Sequence, residues 1–149
     1  MAAPWRIEVM HGVNLAMLGR RDPRHYGTLS LTEVQARVSG FASELGLRVG
    51  FFQSDHEAEF VQRLHALRGQ ADGVVLNPGA WTHYAWAIHD ALEIAELPAV
   101  EVHLSDVRAR ESWRAVSVIG DLCLQTVAGR GVDGYRDALA ALDAHLRAR

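Results

Sequence analysis

Arg6-Ile7-Glu8-Val9-Met10 runs straight into His11-Gly12-Val13-Asn14-Leu15-Ala16-Met17-Leu18-Gly19-Arg20-Arg21-Asp22-Pro23-Arg24-His25-Tyr26-Gly27. The first five residues, with Ile7 and Val9 β-branched, read as a strand. The rest reads as a long loop with no core-forming pattern, and a loop of that length needs a reason. It carries an amide, two adjacent arginines and a tyrosine. Open α/β sheets place their chemistry in loops at the carboxyl ends of strands.

Outward from this stretch, strand and helix patterns alternate. Ser30 to Gly46 reads as a helix, with Ser30 and Glu33 forming a capping box and Gly46 the stop. Leu47 to Gln53 is a second strand. Ser54 or Asp55 is predicted to cap a helix carrying Phe60, Val61, Leu64 and Leu67 at helical spacing. Gly73 to Asn77 is a short buried strand, turned by Pro78-Gly79 into a helix from Tyr84 to Ala95. Pro98 to His103 is the fourth strand, Arg110 to Arg114 a short helical turn, Asp121 to Ala128 the fifth strand, and Val132 to Leu146 the closing helix. This rhythm demands a parallel sheet covered on both faces. Right-handed crossovers then favour a flavodoxin-like three-layer sandwich of order 2-1-3-4-5. The whole chain, residues 1–149, reads as one domain.

That order gathers polar groups at one sheet edge. Strand 1 delivers Asn14, Arg21 and Tyr26. Strand 3 delivers Asn77, Thr82 and His83. Strand 4 delivers Glu101, His103 and Ser105, then Arg110 and Arg114. A strand-end histidine alone is usually a structural hydrogen-bonder; the joint arrival of three distant stretches points to a site. A tyrosine among arginines, a carboxylate–histidine pair and amides form acid–base equipment for a small anionic substrate.

Composition removes other chemistries. The net charge of −3 gives no nucleic-acid footprint. All 15 basic residues are arginine, so neither a Schiff-base lysine nor a Walker A lysine exists. The single Cys123 reads as a buried filler and permits no disulfide framework. No H-x-x-x-H or G-x-S-x-G spacing occurs, so neither a metal site nor a nucleophile elbow is expected. Gly129 to Gly134 matches G-x-G-x-x-G, but no later strand could carry a ribose-binding acid; close helix–sheet packing is the expected use of these glycines. No run reaches membrane-spanning length and no signal-peptide pattern is present, so a cytoplasmic protein is expected.

Four ordered motifs carry a resemblance. They are Gly12-x-Asn14-Leu15-x-x-Leu18-Gly19-x-Arg21-x-Pro23-x-x-Tyr26-Gly27, Gln53-Ser54-x-x-Glu57, Asn77-Pro78-Gly79-Ala80-x-Thr82-His83, and Glu101-Val102-His103-Leu104-Ser105-x-x-x-Ala109-Arg110-Glu111. Together they resemble the type II 3-dehydroquinate dehydratases over nearly the whole chain. The resemblance implies dehydration of 3-dehydroquinate to 3-dehydroshikimate without metal or organic cofactor, in aromatic biosynthesis or quinate breakdown. It implies that Tyr26, as phenolate, removes the C2 proton, and that Arg21 rides a mobile lid. Asn14 would hold a water near the enolate, and His103, partnered by Glu101, would protonate the departing hydroxyl. Asn77, His83, Leu104, Ser105 and Arg114 would bind substrate, with Arg110 a second arginine near the tyrosine. Asp90 would reach the site of a neighbouring subunit. The family assembles as trimers gathered into dodecamers, so a homo-oligomer is expected.

The implied roles make physical sense. A free tyrosine ionises near pH 10, so a base working near neutrality needs a shift of about 2–3 units. Two guanidiniums that stay charged suit that task. The chain departs from the family pattern at Val13, Asp22, Trp81, Tyr84, Trp86, His89, Gln125, Arg136 and Asp137. None of these removes a catalytic group; several are expected near the lid hinge or subunit contacts. Two rival readings share the fold: a lyase for another polyol acid, and a binding relative without turnover. Since neither lysine nor metal-ligand spacing exists, turnover should be unchanged by EDTA and by borohydride added with substrate. Zinc-reversible or substrate-dependent inactivation would refute cofactor-free chemistry.

Overall fold

The computed structural model describes residues 4–149. Five parallel strands form one sheet of order β2-β1-β3-β4-β5: β1 Arg6–His11, β2 Arg48–Gln53, β3 Gly73–Asn77, β4 Ala99–His103 and β5 Gln125–Ala128. The helices are α1 Pro23–Tyr26, α2 Leu31–Glu44, α3 Glu57–Leu67, α4 Trp86–Ala95 and α5 Asp133–Arg147. This is the expected flavodoxin-like arrangement. No helix among the described residues is long and apolar enough to cross a membrane.

Strand alternation sorts the core into two layers. Ile7, Val9, Val75, Val100 and Val102 face α2 and α5. Met10, Val74, Leu76 and Ala99 face α3 and α4. The central strands β3 and β4 are buried along their whole length, as a sheet covered on both faces requires. Ser30 caps α2 as expected: its Oγ accepts from the Glu33 amide at 3.1 Å, and its own amide donates back to the Glu33 carboxylate at 3.2 Å.

Several boundaries differ from the sequence reading, each for a local reason. The stretch after β1 does have a core pattern: Leu15 and Leu18 are buried against α2, with Leu15–Met17 a 3₁₀ turn. The Asp55 carboxylate does not cap α3. It accepts from the Asn14 amide at 2.8 Å, and His56 takes the cap position without a side-chain bond. Ser54 braces the α3 entry instead, accepting from the His56 amide at 2.9 Å and donating to Glu59 at 2.6 Å. The fifth strand starts at Gln125 rather than Asp121. The Ser117 hydroxyl accepts the Gly120 amide at 3.0 Å and folds Gly120–Leu122 into a 3₁₀ turn. The predicted turn at Arg110–Arg114 is split into Val107–Ala109 and Ser112–Ala115. Cys123 is only partly buried, and its thiol is pushed up to about 12 by burial, then by the charges of Glu101 and Asp121.

One buried polar cluster ties β1, β3 and α5 together. Asn77 donates to the Tyr135 hydroxyl at 3.1 Å, and that hydroxyl lies 2.8 Å from His11 Nε2. His11 Nδ1, at the other side of the ring, is buried and has no hydrogen-bond partner among the described residues. Burial lowers His11 to about 4, so the folded protein holds it neutral. In the unfolded chain it takes a proton below its ordinary value of 6.5. Between those limits the unfolded state binds more protons, so stability falls as pH falls. The loss from pH 6.5 to 4 should reach about 3 kcal/mol. Urea melts across that window should show a flatter pH slope for His11→Asn; an unchanged slope would place the acid sensitivity elsewhere.

Candidate active site

Parallel strands bring β1, β3 and β4 to a common carboxyl edge, where His11 is paired with Asn77 across the ladder. Two backbone turns leave that edge in direct contact. A Cβ on Gly12 would sit 2.2 Å from the Pro78 carbonyl oxygen, so no side chain fits there. Gly79 has φ +65°, and a Cβ on it would lie 2.6 Å from the Val13 carbonyl oxygen. The two turns thus interlock and place Asn14 and Ala80 on one pocket wall. The pocket has a volume of about 140 Å³.

Asn14 starts the segment after β1 in the left-handed region at φ 68°, which asparagine tolerates better than most residues. Beyond it, Asp22 caps α1 through the Arg24 amide, with Pro23 in the first turn. That single helical turn carries Tyr26 into the pocket. Arg21 donates to the Tyr26 hydroxyl oxygen at 2.8 Å, and Arg110 donates to the same oxygen at 2.7 Å. The Arg21 guanidinium also lies 3.7 Å from the Tyr26 ring centre. Burial lowers the Arg21 pKa; the Tyr26 charge opposes this, while Arg110 and Arg114 add to it. Arginine nonetheless stays charged at neutral pH. Three guanidiniums in one pocket make it a site for an anion.

The opposite wall is β4. Glu101 is fully buried, and its Oε2 lies 2.5 Å from His103 Nε2. Burial alone would raise the Glu101 carboxyl. Hydrogen bonds from His103, Ser117 and Thr82 outweigh it and hold the group below the usual carboxylate range. A buried carboxylate kept ionised orients the imidazole, with Nε2–H toward Glu101 and Nδ1 free for the pocket. His83 stacks on His103 at 6.1 Å between ring centres. His83 Nδ1 donates to the Val116 carbonyl at 2.6 Å, which leaves Nε2 as an acceptor. Burial lowers His83, against that bond and with help from the charges of His103 and Arg114.

The structure thus brings Asn14, Arg21, Tyr26, Asn77, His83, His103, Leu104, Ser105, Arg110 and Arg114 to one pocket, with Glu101 behind His103. Asn77 is more engaged than expected, since its amide donates to Tyr135 and accepts from Gly79. Asp90 is not brought there by its own chain; it lies exposed on α4, 3.2 Å from His89. The Gly129–Gly134 motif packs as expected, with the Gly134 α-carbon face against Val127 and Val102. It also braces the site: the Gly131 and Gly129 amides donate to the carbonyls of Leu104 and Ser105 at 3.2 and 3.0 Å. Arg136 and Asp137 find partners within the chain, on Phe41 and Arg130. Sequence reasoning gave no role to His11, Tyr135, Ser117 or Thr126. Only Tyr135 left a signal, as a polar ring on the apolar face of α5.

Fold and pocket together define a flavodoxin-like α/β protein with paired acid and base groups around an anion site. The chain belongs to the class II dehydroquinase family, whose model matches residues 5–143. It is 50% identical over 137 residues to the 3-dehydroquinate dehydratase of Syntrophotalea carbinolica, covering 91% of this chain and 93% of that one. It is 45% identical over 144 residues to the enzyme of the same name from Pelobacter propionicus, covering 96% and 97%. The crystal structure of type II dehydroquinase from Propionibacterium acnes superposes with a TM-score of 0.89 at 40% identity, covering 97% of this chain and 98% of that one.

With Tyr26 placed between two arginines, Tyr26→Phe should lower kcat by about 10²–10⁴ and Arg21→Ala by about 10²–10³. Both should leave the circular dichroism spectrum unchanged. Retention of more than about a tenth of kcat in Tyr26→Phe, measured by steady-state kinetics, would mean that another base operates.

Proposed function

We infer that this chain is a lyase that dehydrates 3-dehydroquinate to 3-dehydroshikimate by acid–base catalysis through an enolate. The observation that carries this reading is the single phenolic oxygen of Tyr26 held by both Arg21 and Arg110, in a pocket also lined by His103. Two guanidinium donors stabilise an anionic oxygen far more than a neutral phenol. Tyr26 is therefore assigned as the base that takes the C2 proton. Negative charge then develops on the C3 carbonyl oxygen, and Asn14 is assigned to stabilise it through a held water. The C1–oxygen bond breaks, and His103 gives its proton to the leaving hydroxide, so that water departs. Glu101 holds the imidazole for that step. Arg114 and the Leu104–Ser105 segment are assigned to the substrate carboxylate and hydroxyls, with His83 and Asn77 completing the wall.

The reading includes a cytoplasmic homo-oligomer, built as trimers gathered into a dodecamer, in which Asp90 completes a neighbour's site. Asp90 is exposed on α4, and Tyr84 and Trp86, close to it in sequence, leave large apolar surface uncovered, as do Trp113 and Val116 beside His83. Large exposed aromatics of this kind mark contact surfaces.

The test is ultraviolet absorbance on addition of 3-dehydroquinate. Growth of the conjugated-enone band is expected, and its absence from folded protein would overturn the reading. Light scattering on the same sample should give a trimer multiple whose dissociation abolishes turnover. A fully active monomer would contradict the shared site.

A further inference from the structure

The Glu101 carboxylate sits in a ring of hydroxyl groups that the reaction scheme leaves unused. Thr82, from the Gly79–His83 turn after β3, donates to Oε2 at 2.6 Å. Ser117, from the segment before β5, donates to Oε1 at 2.6 Å. Thr126, on β5, donates to Oε1 at 3.2 Å. The direction of the Ser117 bond is unambiguous, because its oxygen already accepts the Ile119 and Gly120 amides at 3.3 and 3.0 Å. Backbone amide, hydroxyl and carboxylate thus form a chain in which each bond polarises the next. The segment carrying Ser117 is itself pinned to the site: the Val118 amide donates to the Thr82 carbonyl at 2.7 Å, and His83 holds the Val116 carbonyl.

We propose that Thr82, Ser117 and Thr126 form a hydroxyl socket that positions Glu101 and sets how strongly it holds the His103 proton. The three are positioning residues, acting through Glu101 and touching no substrate. The proposal rests on the reading of His103 as the acid. A carboxylate with fewer donors carries more charge on its oxygens, stabilises the doubly protonated imidazolium more strongly and so makes Nδ1 of His103 give up its proton less readily. The socket therefore serves two ends. It keeps Glu101 anionic in a buried position, and it spreads the carboxylate charge so that the imidazolium can still release a proton to the leaving group. It also fixes rotation about the carboxylate, with Oε2 toward His103 and Oε1 toward Ser117 and Thr126. The ionisable and charged groups around Glu101 are His103, His83 and Cys123, with Asp106, Arg108 and Arg114 lining the adjoining cavity and Asp121 acting on Cys123.

A cavity of about 470 Å³ borders the socket, reaching Thr82, Glu101, Ser117 and Thr126. Solvent in that cavity could replace a hydroxyl removed by truncation. The informative change is therefore isosteric. Thr82→Val keeps the volume, removes the donor and leaves no room for water; Thr82→Ser restores the donor. Loss of a hydrogen bond to a charged group should lower kcat about tenfold, with KM within about twofold. The alkaline limb of the kcat profile should move up by about half a pH unit, because the pair keeps its proton longer. Thr82→Ser should return both quantities toward the parent values. The nitrogen NMR signals of the His103 ring should shift in the resting Thr82→Val protein, a readout independent of turnover. A kcat and limb equal to the parent, or an equal loss in Thr82→Ser, would overturn the proposal. If Thr82→Val does not fold by circular dichroism, Thr126→Val carries the same test. Absence of turnover in the parent protein, or full turnover in His103→Asn, would instead overturn the functional reading, and the NMR comparison would still decide the socket.

Discussion

Two positive charges meet at one phenolic oxygen, and the site is arranged around that contact. Arg21 arrives from the segment after β1, and Arg110 from the turns after β4. Arg110 could not reach Tyr26 unless strands 1, 3 and 4 were neighbours, because the two residues are 84 apart in sequence. The parallel order β2-β1-β3-β4-β5 supplies that adjacency. Like charges so close repel, and Arg21 registers this through its lowered pKa, which burial drives first. An anion between them relieves the repulsion. The Tyr26 oxygen, the proposed base, is the group that both guanidiniums address.

Such an arrangement needs a rigid base. The Gly12–Pro78 and Gly79–Val13 contacts lock two strand-end turns together at backbone level. Beneath them, Asn77, Tyr135 and His11 join three elements through buried hydrogen bonds. The Gly129–Gly134 turn supports Leu104 and Ser105 from the side of α5. Catalytic groups held by packed second partners keep their geometry without help from the substrate. The segment after β1 is braced at its root by Asp55 and internally by its Asp22 cap, while much of its remaining surface is exposed.

Much of this was legible in the chain itself. Strand and helix periodicity predicted the sheet order, and the polar residues after strands 1, 3 and 4 meet in one pocket as expected. The capping box at Ser30 and Glu33 was read correctly, because both partners are local in sequence. Failures came where a side chain serves a distant element. Asp55 looks like a helix cap, but the Asn14 amide from another loop claims it. Asp121 looks like strand, but Ser117 folds the chain just before it. Sequence reasoning gave His11 no role, because its partner, Tyr135, lies over a hundred residues away. The hydroxyl ring around Glu101 was invisible for the same reason: serines and threonines are common, and only the fold brings three of them to one carboxylate.

The proposed chemistry divides labour between Tyr26 as base and His103 as acid. Exchange of the C2 deuterium of labelled 3-dehydroquinate into water, followed by NMR beside enone formation, tests it most directly. His103→Asn should wash out the label while forming no enone, because proton removal survives and hydroxide departure does not. Tyr26→Phe should do neither. Exchange persisting in Tyr26→Phe, or lost in a folded His103→Asn protein, would contradict the assignment.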